Sequence, residues 1–147
     1  SVLPDTHWTL LVSDCEKYLP HLRSLVEPFR FIPDWRIDDL MISYAAESGS
    51  VGPHTDNYDV FLLQLEGVRE WRISDKANPE DVVEGLELKI LKSFQPEHTW
   101  QLEPGDMLYL PPHVAHHGLA HGGPCMTASI GFRAPSWRDM LQAYVED

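Results

Sequence analysis

The chain has 147 residues, of which 43% are hydrophobic and 23% are charged, and its formal net charge at pH 7 is −12. This composition is close to that of an average globular protein, so it argues against a disordered chain and predicts a single compact domain. The negative charge argues against direct binding of nucleic acid, which requires a cationic face, and favours a basic protein or peptide as partner.

Neither a membrane span nor a disulfide framework is predicted. The longest apolar runs are far shorter than the roughly 20 residues of a transmembrane helix. The N-terminal segment lacks the basic start and the uninterrupted apolar run of a signal peptide. The two cysteines, Cys15 and Cys125, are far apart and form no Cys-x-x-Cys metal motif. We therefore expect a cytoplasmic protein, and because the chain does not begin with methionine, we expect it to be the core of a longer one.

Helical patterns occur at both ends of the chain. Near the N-terminus, Leu22, Leu25, Val26 and Phe29 follow the i, i+3, i+4, i+7 spacing of an amphipathic helix, which predicts a helix over about residues 15–30. A second helix is predicted over residues 136–147. Ser136 is a suitable N-cap for it, and Asp139 adds a favourable charge to its first turn.

Between these helices the sequence is typical of strands and turns. Short apolar or alternating runs are separated by Gly, Pro, Asn and Asp. Eight strands are predicted, over residues 40–45, 58–65, 69–74, 86–91, 98–102, 106–110, 116–121 and 125–132. The connections are short and contain no helical pattern, so the region of about 40–132 is predicted to form an antiparallel sandwich or barrel.

A histidine and an aspartate introduce the most apolar of these runs. In extended backbone the side chains of His54 and Asp56, at i and i+2, share one face and can converge on a metal. Four histidines later in the chain offer a third ligand: His113, His116, His117 and His121. Two histidines and one carboxylate are the ligand set of non-haem Fe(II) oxygenases. The alternative is that His54 and Asp56 only form a hydrogen-bonded turn.

The motifs around these residues resemble a known family. The stretches "GPHTD" and "PGDMLYLPPHVAHHG" are similar to the paired metal motifs of the cupin superfamily. Together with "FRFIPDWRIDDLMISYA", "GPHTDNYDVFLLQLEGVREWRI" and "SIGFRAP", they resemble the bacterial ribosomal oxygenases from about residue 8 onward. These are Jumonji-C (JmjC) proteins that hydroxylate an arginine of a large-subunit ribosomal protein. The resemblance implies a mainly β protein with a double-stranded β-helix (cupin/jelly-roll, JmjC) core and flanking helices. It also implies Fe(II) as cofactor and 2-oxoglutarate and dioxygen as co-substrates.

The resemblance also implies roles for individual residues. His54, Asp56 and His116 match the catalytic metal ligands, with His116 placed by the preceding Pro-Pro pair and the following glycine. His117 remains a rival if the register shifts by one residue, and His113 occupies a position that is usually glycine. Arg69 matches the basic residue that binds the distal carboxylate of 2-oxoglutarate, although it can also be a surface strand charge.

Other residues are weaker candidates. Thr127 and Ser129, on one face of the last strand, are candidate hydroxyl donors to 2-oxoglutarate, and Tyr44 and Tyr58 are candidate pocket residues. Five acidic residues are candidates for binding the guanidinium of a substrate arginine: Asp34, Asp38, Asp39, Asp59 and Glu66. The substrate is expected to be a basic ribosomal protein or peptide.

Full-length family members carry an additional N-terminal segment and a C-terminal dimerisation and winged-helix region. These regions are expected to lie outside this chain, and the full-length protein is expected to be a homodimer. Two other functions remain open at this point. The first is a cupin-type metal isomerase or another small-molecule cupin enzyme, which needs neither dioxygen nor 2-oxoglutarate. The second is a non-catalytic β-barrel that serves as a binding module.

Overall fold

The computed structural model describes residues 3–86 and 88–146. Its strands are β1 (Thr9–Val12), β2 (Ile37–Ala45), β3 (Asp59–Ser74), β4 (His98–Leu102), β5 (Met107–Leu110) and β6 (Ala115–Phe132). They form one sheet in the order β1-β2-β6-β3-β4, with β5 paired to β3, and each pairing of these strands is antiparallel. The predicted mainly β, antiparallel fold is confirmed.

The two long strands fold this sheet into two halves. The first part of β3 pairs with β5 and the end of β6, whereas its second part pairs with β4 and the start of β6. The register shifts between Gln64 and Val68, where Gly67 has a φ of 65°. A Cβ on Gly67 would lie 2.3 Å from the carbonyl oxygen of Pro124, so only glycine fits this crossing. Two pairs of predicted strands, 58–65 with 69–74 and 116–121 with 125–132, are therefore single bent strands.

Side chains alternate across the first half of the sheet. On the outer face, Leu40, Ile130 and Phe132 are buried against Phe29 and its helical neighbours. Burial of each such side chain contributes about 1.5–3 kcal/mol. The opposite face looks toward the second half, where Leu62 packs in a cluster with Trp71 and Ile73. The sheet thus has an apolar core on one side and a mixed, partly polar interior on the other.

The predicted N-terminal helix over 15–30 is interrupted. The segment consists of α1 (Cys15–Tyr18), α2 (Arg23–Val26) and 3₁₀ turns at Pro20–Leu22 and Glu27–Phe29, and a further 3₁₀ turn spans Asp34–Arg36. Proline lacks the N–H that a helix interior needs, so Pro20 and Pro28 divide the helix that the apolar spacing predicted. The apolar stripe still packs on the sheet, with Val26 and Phe29 buried.

One strand was not predicted, and one strand prediction was wrong. The edge strand β1 was not predicted, because its sequence "TLLV" shows no alternation and residues 10–12 are exposed. Residues 86–91 were predicted as a strand, but the described part forms only isolated bridges at Ile90 and Leu91, and Glu87 lies outside the described residues. This segment belongs instead to the long connection between β3 and β4.

The C-terminal helix is α3 (Trp137–Glu146), and residue 147 of the predicted range lies outside the described residues. The N-cap prediction for Ser136 is confirmed, since its Oγ accepts a hydrogen bond from the N–H of Asp139 at 3.1 Å. The Asp139 carboxylate in turn accepts from the Ser136 N–H at 2.9 Å, which completes a reciprocal cap. Within residues 3–86 and 88–146, no helix has the length and hydropathy that a transmembrane span requires.

Candidate metal centre

Three of the predicted site residues lie together in the structure. One potential ligand atom from each of His54, Asp56 and His116 lies within 4.8 Å of those of the other two. The two imidazole ring centroids are 4.2 Å apart, and Nε2 of His116 is 3.6 Å from Oδ2 of Asp56. Two imidazole nitrogens and one carboxylate at these separations can coordinate a single metal ion.

Main-chain hydrogen bonds hold the two parts of this triad in register. The N–H of His54 donates to the carbonyl of His116 at 3.0 Å, and the N–H of His116 donates to the carbonyl of His54 at 2.9 Å. The N–H of His113 donates to the carbonyl of Asp56 at 2.8 Å. His54 and Asp56 therefore precede β3 and lie along the start of β6, rather than within a regular strand as the i, i+2 reasoning assumed.

Both histidines are held in the tautomer that suits a metal ligand. Nδ1 of His54 is 2.9 Å from the carbonyl oxygen of Gly52, and Nδ1 of His116 is 3.0 Å from that of Val114. A carbonyl only accepts hydrogen bonds, so each Nδ1 carries the proton and each Nε2 presents its lone pair. Burial, followed by the nearby His54, lowers the pKa of His116 to about 4, which keeps its ring neutral at pH 7.

The remaining histidines lie away from this centre. His117 follows His116 on β6 and therefore points to the opposite face, where it lies across from Arg72 and packs edge-on against Phe94. The structure thus brings His116, and not His117, to His54 and Asp56. His113 is exposed and has a φ of 68°, which explains why glycine suits that position. The others are also exposed: His7, His21, His98 and His121.

A cavity of about 380 Å³ extends from the triad between the two halves of the sheet. Its walls include Met41 and Leu62 from the first half and Arg69 and Trp71 from the second. The triad itself lines the same space. A small molecule in this cavity would contact the metal centre and the interior of the barrel at the same time.

Arg69 is a buried cation in this cavity. Only 5% of its surface is exposed, which excludes the alternative of a surface strand charge. Its Nη1 donates to Oγ of Ser43 at 3.0 Å, while Nε and Nη2 have no hydrogen-bond partner among the described residues. A guanidinium edge left unpaired in a buried site suits the two oxygens of a carboxylate. Arg72, by contrast, is partly exposed and bonded to Glu70 at 2.7 Å.

A family model described as the JmjC domain matches residues 24–140, which is most of the chain. The chain belongs to the JmjC domain family. The predicted family resemblance is confirmed. The chain is 41% identical over 144 residues to the ribosomal protein uL16 3-hydroxylase of Escherichia coli (strain K12), covering 98% of this chain and 38% of that protein.

Solved structures agree with this assignment. The Escherichia coli ribosomal oxygenase YcfD, in complex with cobalt and 2-oxoglutarate, aligns with a TM-score of 0.81 and 41% identity over 99% of this chain and 37% of that one. A cupin superfamily protein from Desulfitobacterium hafniense DCB-2 aligns with a TM-score of 0.54 and 14% identity, over 90% of this chain and 84% of its own, which shows a shared fold. This JmjC domain thus spans less than two-fifths of the ribosomal oxygenases it matches.

A glycine two residues after His116 makes room for Trp71 in this JmjC domain. A Cβ on Gly118 would lie 2.8 Å from two ring atoms of Trp71. The indole can therefore lie across β6, with its ring centroid 5.9 Å from that of His116 and 5.6 Å from Cζ of Arg69. The His-x-Gly spacing in the sequence thus leaves room for an aromatic ring that lies close to both His116 and the buried arginine.

Gly118→Ala is expected to destabilise the protein, because the added methyl group must displace a buried indole. Overpacking of this kind costs about 1–3 kcal/mol, which would lower the melting temperature by several degrees. The Gly118→Ala/Trp71→Phe double variant is expected to lose less than the sum of the single losses, since the smaller ring leaves room for the methyl. Thermal unfolding of the four proteins in the cycle tests this, and strictly additive losses would contradict it.

The predicted hydroxyl donors differ in position. Ser129 lines the cavity and is 8% exposed. Thr127 is fully buried outside the cavity lining, and its hydroxyl donates to Oε1 of Gln64 at 2.8 Å. Tyr58 lines the cavity, whereas Tyr44 packs against Trp8 with ring centroids 5.7 Å apart. A hydroxyl already engaged like that of Thr127 is poorly placed to bind a ligand.

The five acidic candidates differ in their hydrogen-bond and ion-pair partners. Of the five, only Asp39 lines the cavity. The Asp59 carboxylate accepts from Nη2 of Arg36 at 3.2 Å and from the Tyr109 hydroxyl at 2.7 Å. The other three have these surroundings: Asp38 pairs with Arg133, Asp34 pairs with Arg30, and Glu66 is exposed. The only hydrogen bond to the Asp39 side chain among the described residues comes from the N–H of Asp14, at 3.4 Å. Burial raises the pKa of Asp39, with smaller contributions from Asp38, Asp14 and Glu16.

Several cavity residues carried no signal in the sequence. Thr9 and Leu11 come from the unpredicted strand β1, and Leu88 and Lys89 come from the connection between β3 and β4. Trp71 reads in the sequence as an ordinary apolar strand residue. These residues reach the cavity because of the way the strands and their connections are arranged in space. Sequence periodicity does not specify that arrangement.

Proposed function

We propose that this JmjC domain is the catalytic core of an Fe(II)- and 2-oxoglutarate-dependent dioxygenase. We further propose that its substrate is an arginine side chain of a large-subunit ribosomal protein. One observation carries the first proposal. The cavity that His54, Asp56 and His116 line is also lined by Arg69, whose Nε and Nη2 have no hydrogen-bond partner among the described residues. A metal centre and a buried carboxylate anchor in one cavity match an α-keto diacid.

The donor atoms of the triad fit ferrous iron. Two imidazole nitrogens and one carboxylate oxygen leave coordination positions for the keto acid group of a co-substrate and for dioxygen. When bound, Fe(II) would supply the oxidising chemistry that converts an unactivated carbon–hydrogen bond to an alcohol. The carbonyls of Gly52 and Val114 fix both ligand tautomers in advance.

The chain's other residues would orient the co-substrate and exclude water. Arg69 would hold the distal carboxylate of 2-oxoglutarate, and its hydrogen bond to Ser43 fixes the orientation of the guanidinium. Met41, Leu62 and Trp71 form apolar walls between the two ends of the cavity. The similarity to the uL16 3-hydroxylase and to the cobalt and 2-oxoglutarate complex of YcfD supports this arrangement.

The position of Asp39 supports the proposal that the substrate is an arginine. It lines the cavity that holds the metal centre, and its carboxylate forms no salt bridge among the described residues, although Lys17 and Arg133 lie near enough to interact with it electrostatically. A guanidinium in the cavity would supply a direct ion-pair partner for this carboxylate. The net charge of −12 would also draw a basic protein toward the cavity, and it disfavours direct contact with nucleic acid. A cytoplasmic location and a homodimeric full-length protein remain predictions.

The direct test is turnover with a panel of ribosomal peptides. Protein, Fe(II), 2-oxoglutarate and peptide are combined without oxygen and then exposed to air, and the peptides are analysed by mass spectrometry. We expect one oxygen atom to be added to an arginine, with matching formation of succinate. Formation of succinate without peptide oxidation would reject the proposed substrate but would still indicate a 2-oxoglutarate-dependent dioxygenase. Activity without dioxygen or 2-oxoglutarate would instead indicate a cupin isomerase, and binding of neither iron nor 2-oxoglutarate would indicate a binding module.

Asp39→Asn is expected to raise the peptide KM by about tenfold or more, because a hydrogen bond to a charged group contributes about 1.5–3 kcal/mol. The KM for 2-oxoglutarate should not change. Asp59→Asn is the matched control, since its carboxylate is already engaged by Arg36 and Tyr109. Steady-state kinetics with each substrate varied in turn separates these effects. Equal peptide KM values for wild type and Asp39→Asn would remove Asp39 from the substrate site.

A further inference from the structure

The described residues contain four buried side-chain nitrogen or oxygen atoms without a hydrogen-bond partner. They are Thr9 Oγ1, Arg69 Nε, Arg69 Nη2 and Trp71 Nε1. All three residues line the cavity at the metal centre. Each unsatisfied buried polar group costs about 1–3 kcal/mol, so four of them in a single cavity point to a ligand that satisfies them.

The chemistry of these atoms defines the ligand. The two arginine nitrogens and the indole nitrogen carry hydrogens and can only donate, and a threonine hydroxyl can donate as well. Four donors on residues that line one cavity suit a ligand rich in acceptor oxygens. A dicarboxylate has such oxygens at both ends, whereas an apolar or cationic molecule would leave these groups unpaired.

The strand register places Thr9 beside the arginine anchor. On β1, Leu11 lies directly opposite Ser43, whose hydroxyl accepts the hydrogen bond from Arg69. Thr9 is two residues away on the same face of β1 and lies opposite Ala45, which is fully buried. Thr9 is therefore on the strand next to Ser43, two residues along β1 from the position opposite it.

Trp71 also lies close to Arg69. Its ring centroid is 5.6 Å from Cζ of Arg69 and 5.9 Å from the ring centroid of His116. The indole therefore lies close to both the carboxylate anchor and one ligand of the triad. A co-substrate that reached from Arg69 to the metal would pass this ring.

We infer that Thr9 and Trp71 bind the acidic co-substrate together with Arg69. The hydroxyl of Thr9 donates to the same distal carboxylate as the guanidinium, and the indole N–H of Trp71 donates to the bound co-substrate. This inference rests on the proposed function, because it assumes that 2-oxoglutarate occupies the cavity. It gives the unpredicted strand β1 a direct role in co-substrate binding.

The test for Thr9 compares two ligands by calorimetry in the presence of Mn(II). 2-Oxoglutarate has a distal carboxylate, and 2-oxobutyrate lacks it but keeps the keto acid group. Thr9→Val is expected to weaken 2-oxoglutarate binding by about tenfold or more and to leave 2-oxobutyrate binding, measured directly or by competition, unchanged. Thr9→Ser should restore most of the affinity. Thr99→Val, at an exposed position on β4, is the matched control.

The test for Trp71 uses a second tryptophan as its control. Trp71→Phe is expected to weaken 2-oxoglutarate binding by about threefold or more, because it removes one donor to a charged ligand. Trp100 lies directly opposite Trp71 on β4 and is 45% exposed, so Trp100→Phe should leave the affinity unchanged. Melting temperatures measured alongside identify any variant that has lost its fold.

The outcomes separate this inference from the proposed function. If the wild-type protein with Mn(II) does not bind 2-oxoglutarate, the proposed function fails. If the wild type binds but Thr9→Val binds equally well, the role of Thr9 is wrong and the proposed function stands. Equal losses for both ligands would show that Thr9 acts only on the structure of the cavity. Unchanged affinity in a folded Trp71→Phe variant would likewise remove Trp71 from the donor set.

Discussion

Replacing His116 with alanine is expected to abolish hydroxylation and to weaken Fe(II) or Mn(II) binding by about 100-fold or more. Loss of a residue that only supports a ligand already costs about 10–100-fold in metal affinity, so loss of the ligand itself should cost at least as much. His116 is 3% exposed, and its Nε2 faces Asp56 at 3.6 Å. Anaerobic metal titration by calorimetry measures the affinity, and peptide mass spectrometry measures the turnover.

His117→Ala provides a control at the adjacent position. His117 lies on the outer face of β6, across from Arg72, so its removal should leave metal affinity and turnover close to those of the wild type. Folding is checked for both variants by circular dichroism. If His117→Ala lost metal and His116→Ala retained it, the register of the triad would be wrong by one residue.

Arg69→Leu is expected to raise the KM for 2-oxoglutarate by about 100-fold or more. Truncating one member of a buried, hydrogen-bonded charge pair costs about 2–5 kcal/mol, and Arg69 would form such a pair with the distal carboxylate. Metal affinity in the absence of 2-oxoglutarate should be unchanged, because Arg69 is not a ligand. The ligand-free variant should also be at least as stable as the wild type, since an unpaired buried cation is removed.

Arg72→Leu is the matched control for Arg69→Leu. Arg72 is on the same strand, is partly exposed and pairs with Glu70, so its loss should change the KM for 2-oxoglutarate by less than about twofold. Steady-state kinetics and thermal unfolding are measured on both variants. Equal KM values for the two variants would show that the co-substrate is held elsewhere.

Much of the fold could be predicted from the sequence because the central strands alternate and their connections are short. The strand over 98–102 has the predicted bounds, and the strand predicted over 106–110 begins one residue later, as β5. Strand β1 was missed because the short sequence "TLLV" has no alternation to detect. The opposite error occurred at 86–91, where the described residues form only isolated bridges, and Leu88 and Lys89 line the cavity instead. The apolar spacing over 15–30 was real, but the two prolines divide that helix.

Residues of the candidate site could be predicted only where a sequence motif included them. The spacing of His54 and Asp56 and the family resemblance led to the triad and to Arg69, which the structure brings to one cavity. Asp39 could not be separated from Asp59 in the sequence, because contacts between distant residues decide which carboxylate is already engaged. For the same reason Thr127 and Ser129 looked equally suitable in the sequence, although a glutamine from another strand engages the Thr127 hydroxyl.

The most direct measurement is the affinity of the protein for 2-oxoglutarate with and without Mn(II), measured by calorimetry under anaerobic conditions. If His54, Asp56 and His116 form a metal centre that shares its cavity with Arg69, one molecule of 2-oxoglutarate should bind per chain, and binding should be much tighter with the metal. Binding of 2-oxoglutarate that is equally tight without the metal, or no binding in its presence, would contradict this account.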